Sequence, residues 1–453
     1  MTITEMPGIF AYLGLLLLSG YATIAWLRSD QSALETFGLS ACLGPAVAAF
    51  LLIAFSMLGL RPSIAEMCGL ALLTGASLVL CRFVRGAKAT SASPPCRHSI
   101  GWGAVALLLV VYSTIFVVKD AFFSPVGSWD AFSLWQLKAK VLARQPMIPR
   151  PDYFYDVNLS YSHLRYPVLV PMISAGAMAA AGNRDGIGKP PFALMYVGMI
   201  ALLFASMRRT HGRLIASVAT MIFATLPPYT YFAGAGTAEL AITVFYAGSL
   251  VCLLRWLDRQ ESADLLLTAL FSTAAAWTKN EGLAMAAING LIVLLFTPRP
   301  LQRRHLAATL GFAVMVVAMY LPWAIYSHDF PRTDEDYPLH LTAATILANR
   351  DRLPLIFHAY FSEATNLQRW SGLWIVLALT AMLCLHDLAR RPILALWTAM
   401  ILQIAAVTLA YEISIIPPAD LIPQTIERLT LQLTPAATLL IAWQWRASVY
   451  AEA

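Results

Sequence analysis

Long apolar segments dominate this chain and constrain its fold more than any other feature. Residues 8–26, 37–59, 64–80 and 100–118 are nearly free of charge, and about 20 mostly apolar residues are enough for a helix to cross a bilayer. Charged residues make up only 12% of the chain, about half the 25% typical of soluble proteins. The sequence therefore predicts an integral membrane protein and excludes a soluble domain.

Basic residues determine the predicted threading, because lysine and arginine accumulate on the cytoplasmic side of membrane proteins. Residues 82–99 hold Arg82, Arg85, Lys88 and Arg97, so this loop is predicted to be inside. The net charge of +6 is then mostly a property of the inside loops and does not indicate nucleic-acid binding. The remaining arginine-rich loops fall inside only if the short apolar stretch 167–181 lies along the outer interface instead of crossing.

The resulting prediction is an all-α polytopic protein with about thirteen spans. Residues 1–99 form three N-terminal spans, and residues 100–453 form a second module with external loops at 119–189 and 327–370. Residues 355–364 show helical patterning within the second loop, and residues 411–428 are interpreted as a third outer loop. The predicted spans of the second module are 100–118, 190–207, 214–232, 239–257, 265–278, 283–296, 306–325, 373–385, 393–410 and 431–445.

Ionisable residues cluster at the predicted outer ends of several spans: Asp130, Glu239, the Lys279–Glu281 turn and the Glu427–Arg428 pair. Such groups are costly near lipid and usually mark functional sites. Purely structural roles for these residues remain open, since a helix dipole favours acids in a first turn and polar residues are common in turns. Four clusters on one face nevertheless predict an active site.

Residues 128–140 are predicted to form an amphipathic interfacial helix with Ser128 as its N-cap. Trp129, Phe132 and Trp135 share the three-residue spacing of one face, which should point into the lipid boundary. The other face carries polar and basic residues, namely Ser133, Gln136, Lys140 and Arg144. This arrangement would place Asp130 at the membrane surface.

Two further basic segments belong to the predicted outer side. His163 and Arg165 precede Pro167, which is predicted to open a short helix; both side chains could contact a phosphate or could mark the water boundary. Arg428 is predicted at the start of the last span, where it would oppose the helix dipole. Arg428 would then need an anionic partner, either Glu427 or a ligand phosphate.

The order of these motifs resembles a known family. A Trp-Asp pair at 129–130 precedes an amphipathic segment, a basic Tyr-Pro segment at 163–169, an acid at a span start (Glu239), a Thr-Lys-Asn-Glu-Gly turn at 278–282 and an outer Arg428. Over residues 100–447 the pattern is similar to the polytopic GT-C glycosyltransferases, family 39-like, namely the bacterial relatives of protein O-mannosyltransferase and of the lipid A aminoarabinose transferase. The chain departs from that pattern in its three extra N-terminal spans and in having Glu239 where Asp is commoner.

The resemblance implies a polyprenyl-phosphate sugar donor, an inverting single displacement and a site on the periplasmic face of a bacterial inner membrane. Asp130 would be the catalytic base. Lys279 and Arg428, with Lys138 and Arg165 behind them, would bind the donor phosphate. The acceptor would be a glycolipid, glycan or protein hydroxyl. A divalent metal is possible but not required. Acceptor orientation or metal binding would fall to Glu239, Glu281, His163 and Tyr166.

Two other functional classes remain open. A transporter or lipid flippase of envelope precursors would also have many spans and intramembrane charges, although transporters often show inverted repeats and midplane sites. A scaffold subunit of an envelope-assembly complex is the third alternative. Substitution of Asp130 should abolish an enzyme and leave a scaffold intact.

Overall fold

The computed structural model describes residues 5–28, 31–85, 101–296, 302–332 and 337–451. All regular elements in these ranges are helices. Eight helices are long and apolar enough to cross a membrane, or nine if the bent pair Arg213–Ala224 and Pro227–Ala235 forms one span. The predicted all-α polytopic fold is confirmed. Lys88 and Arg97 of the predicted inside loop lie outside the described ranges.

Helix length supports fewer crossings than the thirteen predicted. Three predicted spans coincide with apolar helices of only 10–17 residues, namely Ser262–Ala276, Asn280–Phe296 and Leu373–Leu383. Leu373–Leu383 has 11 residues. At 1.5 Å per residue such a helix covers roughly half of the hydrocarbon core.

The first of two compact units comprises Met1–Tyr155, Pro167–Thr225 and Thr230–Gly248. Its helices α1 (Met6–Leu27), α2 (Ala33–Met57) and α7 (Pro190–His211) pack closely at small residues. A Cβ on Gly44 of α2 would collide with the carbonyl oxygen of Leu16 on α1. Small residues of this kind allow helix backbones to approach each other in membrane proteins. A π-helical segment, Ala131–Gln136, leads directly into α5. The first ten helices are α1 (Met6–Leu27), α2 (Ala33–Met57), α3 (Ile64–Arg85), α4 (Gly101–Phe123), α5 (Leu137–Arg144), α6 (Leu169–Ala180), α7 (Pro190–His211), α8 (Arg213–Ala224), α9 (Pro227–Ala235) and α10 (Ala238–Arg259). The start of α9 and the last part of α10 belong to the second unit.

Helix α6 differs from the predicted interfacial helix. Its residues from Leu169 to Ala179 are all buried, and it packs against α5, α2 and α1. The helix is therefore enclosed by protein and does not spread on a lipid interface. Pro167 precedes the helix and does not open it; Pro171 occupies the third position, where a missing N–H also costs no intrahelical bond.

Contacts at the two ends of α2 agree with the predicted relative sidedness. Glu35, in the first turn of α2, lies 3.5 Å from the guanidinium of Arg209 near the end of α7. At the other end, the backbone N–H of Met147 in the 119–189 loop donates to the hydroxyl of Ser56 over 2.8 Å. The two ends of α2 thus meet segments that the charge pattern places on opposite sides.

The second unit comprises Asp156–Tyr166, Leu226–Tyr229 and Ser249–Ala453. A hairpin of α11 (Ser262–Ala276) and α12 (Asn280–Phe296) packs against α13 (Arg303–Tyr326), while α19 (Arg391–Ile413) contacts α12 and α21 (Thr434–Ala451). Asn289 of α12 donates hydrogen bonds to Ser249 of α10 and Ser272 of α11. The helices are α11 (Ser262–Ala276), α12 (Asn280–Phe296), α13 (Arg303–Tyr326), α14 (Tyr337–His340), α15 (Ala343–Ala348), α16 (Leu353–Ala364), α17 (Leu367–Trp370), α18 (Leu373–Leu383), α19 (Arg391–Ile413), α20 (Pro418–Leu431) and α21 (Thr434–Ala451).

Two predictions about the outer segments of this unit have different outcomes. The helical pattern at 355–364 is confirmed by α16. The interpretation of residues 411–428 as a loop is wrong, because α19 continues to Ile413 and α20 begins at Pro418. Proline is favoured at a first helical position, so a proline-rich sequence here starts a helix and does not exclude one.

Candidate active site

The segment that carries Asp130 begins as predicted and then departs from a regular α-helix. The hydroxyl of Ser128 accepts a hydrogen bond from the N–H of Ala131 over 3.2 Å, and Asp130 is half-buried. Phe132 is 66% exposed, but Trp135 is only 2% exposed, so the prediction of three aromatics on one lipid-facing side is wrong. The turn is π-helical, and its wider i→i+5 pattern changes which residues share a face.

The polar side of the same segment points into the protein. Gln136 is 5% exposed; its Nε2 donates to the carbonyl of Gly236 over 3.0 Å and to the hydroxyl of Ser174 over 3.3 Å. Lys140 lies at the surface, where its ammonium pairs with Asp185 at 2.7 Å. Buried hydrogen bonds of Gln136 and a surface ion pair of Lys140 therefore anchor the segment that follows Asp130.

Lys138 lies on the first turn of α5 and is fully buried, with 1% exposure. Desolvation lowers the pKa of this lysine to about 7, because burial penalises the charged form. At neutral pH the side chain is therefore divided between the ammonium and the neutral amine. A cation of this kind can bind an anion while it is protonated and can exchange a proton near pH 7.

Glu239 occupies the first turn of α10, as predicted, and is 1% exposed. The helix dipole favours an acid at this position. The bond from Gln136 to Gly236 joins the Asp130 segment to the chain three residues before Glu239. Asp130, Lys138 and Glu239 thus belong to the same unit.

A buried cation of the first unit was missed by the sequence analysis. Lys189 is 2% exposed at the N-cap of α7; its Nζ donates to the carbonyl of Pro125 over 3.3 Å and lies 4.0 Å from Oδ1 of Asp120. Desolvation lowers the pKa of Lys189, and the charge of Asp120 opposes this shift. The available signal was a lysine on the predicted outer side directly before a span, against the positive-inside trend.

In the second unit, four predicted residues come together at the α11–α12 turn. Lys279 is buried, and its ammonium lies 3.1 Å from Oε1 of Glu281. The same nitrogen lies 5.9 Å from the centre of the Tyr166 ring, which is within cation–π range. The ring of His163 stacks on Tyr166 at 4.8 Å between centroids. A cation, a carboxylate and two rings therefore share one small region.

Arg165 supports this region through backbone contacts. Its Nε and Nη2 donate to the carbonyls of Phe330 and His328 over 3.0 and 2.6 Å. The indole N–H of Trp323 donates to the carbonyl of Arg165 over 3.3 Å. Arg165 thereby ties the segment before Tyr166 to the end of α13, which is a positioning contact.

Arg428 lies in the last turn of α20 and not at the start of the last span, so that part of the prediction is wrong. A cation is favoured at a helix C-terminus. The Nε and Nη2 atoms of Arg428 donate to the carbonyl of Gln424 over 3.0 and 2.7 Å. Glu427 pairs with Arg369 at 3.5 Å; desolvation raises the pKa of Glu427, while Arg369 and Arg428 oppose that shift.

Tyr411 connects Arg428 with the Lys279 region and was not predicted. It lies near the end of α19, within electrostatic range of both Arg428 and Glu281. Its hydroxyl lies 2.8 Å from the hydroxyl of Thr425 on α20. The charges of Glu281 on α12 and of Arg428 on α20 therefore both act on this tyrosine.

The fit of a divalent metal is poor on the side chains alone. Within the described ranges, no group of three or more His, Cys, Asp or Glu side chains is arranged to hold a metal ion. Glu239 lies in the first unit and Glu281 in the second. A Mg²⁺ ion is often held by one or two carboxylates together with substrate phosphates and waters, and either residue could contribute in that way.

Residues 165–325 match the protein family described as dolichyl-phosphate-mannose-protein mannosyltransferase. The matched segment contains Arg165, Tyr166, Glu239, Lys279 and Glu281. Asp130 and Arg428 lie outside it. A search of curated proteins found no match to the chain. On the strength of residues 165–325, the resemblance to the GT-C family is confirmed, and the chain is identified as similar to membrane glycosyltransferases of the mannosyltransferase type.

Proposed function

We propose that the protein is an inverting glycosyltransferase that moves a sugar from a polyprenyl-phosphate donor to a hydroxyl group. The acceptor is an envelope glycolipid, a glycan or a protein, and the site faces the periplasm of a bacterial inner membrane. The observation that carries this proposal is the buried Lys279 ammonium, which pairs with the half-buried Glu281 and lies over the ring of Tyr166. It lies within the segment that matches the mannosyltransferase family.

In the proposed reaction, Asp130 accepts the proton of the acceptor hydroxyl. The acceptor oxygen then bonds to the anomeric carbon from the face opposite the phosphate. The bond between that carbon and the phosphate oxygen breaks, and the lipid phosphate leaves with the electron pair. A positioned base contributes about 10²–10⁴-fold to such a step. The half-buried position of Asp130 is compatible with access to an acceptor.

The leaving lipid phosphate needs cations, because charge grows on it in the transition state. We assign this role first to Lys279 and Arg428. Arginine can grip a phosphate through two parallel hydrogen bonds, while lysine acts as a point charge. Glu281 and Tyr166 hold the Lys279 ammonium in place, and Lys138 offers a further cation in the first unit. Glu239 and His163 are assigned to acceptor orientation.

The proposal is tested in a deletion strain by mass spectrometry of envelope glycolipids, glycans and glycoproteins. The strain is complemented with the wild-type gene, Asp130→Asn or Lys279→Gln. Matched controls are Asp152→Asn, an exposed acid of the same outer loop, and Lys119→Gln, an exposed lysine near the end of α4. Immunoblots of the membrane fraction confirm equal amounts of each variant.

The expected result is that one glycoconjugate lacks a single sugar mass in the deletion strain. Wild type and both control variants restore that sugar, while Asp130→Asn and Lys279→Gln do not. Full restoration by Asp130→Asn would refute the catalytic assignment and favour a scaffold. Accumulation of an unmodified lipid-linked precursor on the cytoplasmic side would instead favour a flippase.

A further inference from the structure

A charged cluster of the second unit joins α16 and α17 to the end of α20. Glu363 near the end of α16 is buried, and both of its carboxylate oxygens accept hydrogen bonds from Nη1 of Arg369, over 3.0 and 2.8 Å. The indole N–H of Trp370 donates to the same carboxylate over 2.9 Å. A different nitrogen of the guanidinium, Nε of Arg369, lies 3.5 Å from Oε2 of Glu427. Arg369 therefore bridges two carboxylates that belong to different helices.

The bridging arginine is firmly held on α17. The side-chain oxygen of Asn366 accepts a hydrogen bond from the backbone N–H of Arg369 over 3.1 Å, and the neighbouring Trp370 is fully buried. Helix α16 in turn packs on α20 through an apolar cluster that contains Ile356 and Ile426. Satisfied polar networks of this kind make a side chain rigid, so the guanidinium of Arg369 has a fixed position relative to α20.

The second carboxylate of the bridge, Glu427, directly precedes Arg428, to which the proposed function assigns the lipid phosphate. The charges of Arg369 and Arg428 both act on the Glu427 carboxylate. The two glutamates of the cluster carry two negative charges when ionised, and the two arginines carry two positive charges, so the cluster is neutral as a whole. Without Arg369, an unbalanced carboxylate beside Arg428 would compete with a phosphate for the guanidinium and would repel that phosphate.

We infer that Arg369 is a positioning residue for the proposed transfer: by holding the Glu427 carboxylate, it keeps the positive charge of Arg428 available to the lipid phosphate. This inference rests on the proposed function, in which Arg428 binds that phosphate. The side chains of Arg369 and Glu427 are each 34% exposed, and solvent screens partly exposed pairs, so the effect on a neighbouring anion is moderate. Arg369 acts on phosphate binding through Glu427 and is not a catalytic residue.

The test measures binding of decaprenyl phosphate to the purified full-length protein by native mass spectrometry, with decaprenol as the phosphate-free control. Substitution of Arg369 alone leaves the buried Glu363 carboxylate without its guanidinium partner and destabilises the fold. The main variant is therefore Glu363→Gln/Arg369→Gln, which removes that ion pair as a whole and keeps Glu427 charged. It is compared with the same variant carrying Glu427→Gln, with Glu363→Gln alone and with Arg428→Gln. Melting curves show that each variant is folded.

We expect Glu363→Gln/Arg369→Gln to bind decaprenyl phosphate about fivefold more weakly than wild type, the upper range for a partly exposed ion pair. The added Glu427→Gln should restore the affinity, and Glu363→Gln alone should bind like wild type. A merely structural role of the cluster would give the opposite results, namely no recovery and a loss in Glu363→Gln.

The inference is overturned if the main variant binds like wild type, or if the added Glu427→Gln restores nothing. In either case, weaker binding by Arg428→Gln would still support the proposed function. If Arg428→Gln itself binds decaprenyl phosphate like wild type, the phosphate role of Arg428 in the proposed function is wrong, and the inference is overturned with it.

Discussion

Substitution of Gly282 by alanine should damage both stability and activity. Gly282 lies in the first turn of α12, next to Glu281. A Cβ at this position would lie 1.9 Å from the carbonyl oxygen of Ala275 in α11, whereas real Cβ atoms essentially never come within 3.0 Å of a neighbour. The start of α12 must therefore retreat by at least 1.1 Å, the difference between these two distances, and Glu281 moves with it.

The magnitude follows from this displacement. Overpacking a close contact costs about 1–3 kcal/mol, and replacing a helical glycine by alanine returns about 0.5–1 kcal/mol. The net loss of stability should be about 1–2 kcal/mol. A misplacement of about 1 Å in a reacting site can lower the rate by about 10²-fold, so sugar transfer should fall by roughly that factor if the Lys279–Glu281 pair serves the reaction.

The assay compares Gly282→Ala with Gly290→Ala in the same helix. At Gly290 a Cβ would approach only the Phe312 side chain, at 3.3 Å, and that ring can shift. Apparent melting temperature is measured in detergent micelles, and the transferred sugar is measured by mass spectrometry of the complemented strain. The reasoning is refuted if Gly282→Ala melts and functions like wild type. An equal loss in Gly290→Ala would attribute the effect to α12 in general.

Three further predictions concern single side chains. Burial lowers the pKa of Lys138 to about 7, so a phosphate-binding role predicts that the transfer rate falls as pH rises through 7 and that Lys138→Arg removes this fall. A lysine in the unfolded chain titrates near 10.4, so between about pH 7 and pH 10 the unfolded chain binds more protons than the folded protein. The melting temperature should therefore rise with pH in this range. The Lys138→Met variant should show a flatter rise. Gln136→Met removes the donor to the Gly236 carbonyl and should lower the folding stability by about 1–3 kcal/mol. Its melting temperature should fall more than that of Ser174→Ala, which loses only one hydrogen bond. Arg369→Met leaves the buried Glu363 carboxylate without its guanidinium partner. Because Arg369 is partly exposed, the loss of folding stability should be about 1–3 kcal/mol, which is more than the loss in Glu427→Gln. Equal melting curves of the two variants would contradict this.

Local chemistry explains which structural predictions were confirmed. The Ser128 cap and α16 depend on neighbours within a few residues, and capping and periodicity are properties of such short windows. The tight Lys279–Glu281 turn is of the same kind, because two apolar segments flank three polar residues. These features required no knowledge of what packs against them.

The structural predictions that were wrong concern features that depend on contacts between distant segments. Trp135 is buried because the turn before it is π-helical, which the three-residue spacing does not reveal. Arg428 lies in the last turn of α20, and the packing of Leu421 and Ile426 against Ile356 of α16 stabilises that helix. The burial of Lys189 near Asp120 joins the start of α7 to the end of α4, about seventy positions apart.

The sequence by itself determined that this chain is a polytopic helical membrane protein, because burial in lipid requires long apolar helices that satisfy their own backbone hydrogen bonds. It also determined which few ionisable residues stand at the ends of those helices. Only the tertiary structure decided which of them meet: Lys279 with Glu281 and Tyr166, and Gln136 with Gly236. Helix length and composition are set by neighbouring residues, whereas the neighbours of a buried charge are set by the packing of helices that lie far apart in the chain.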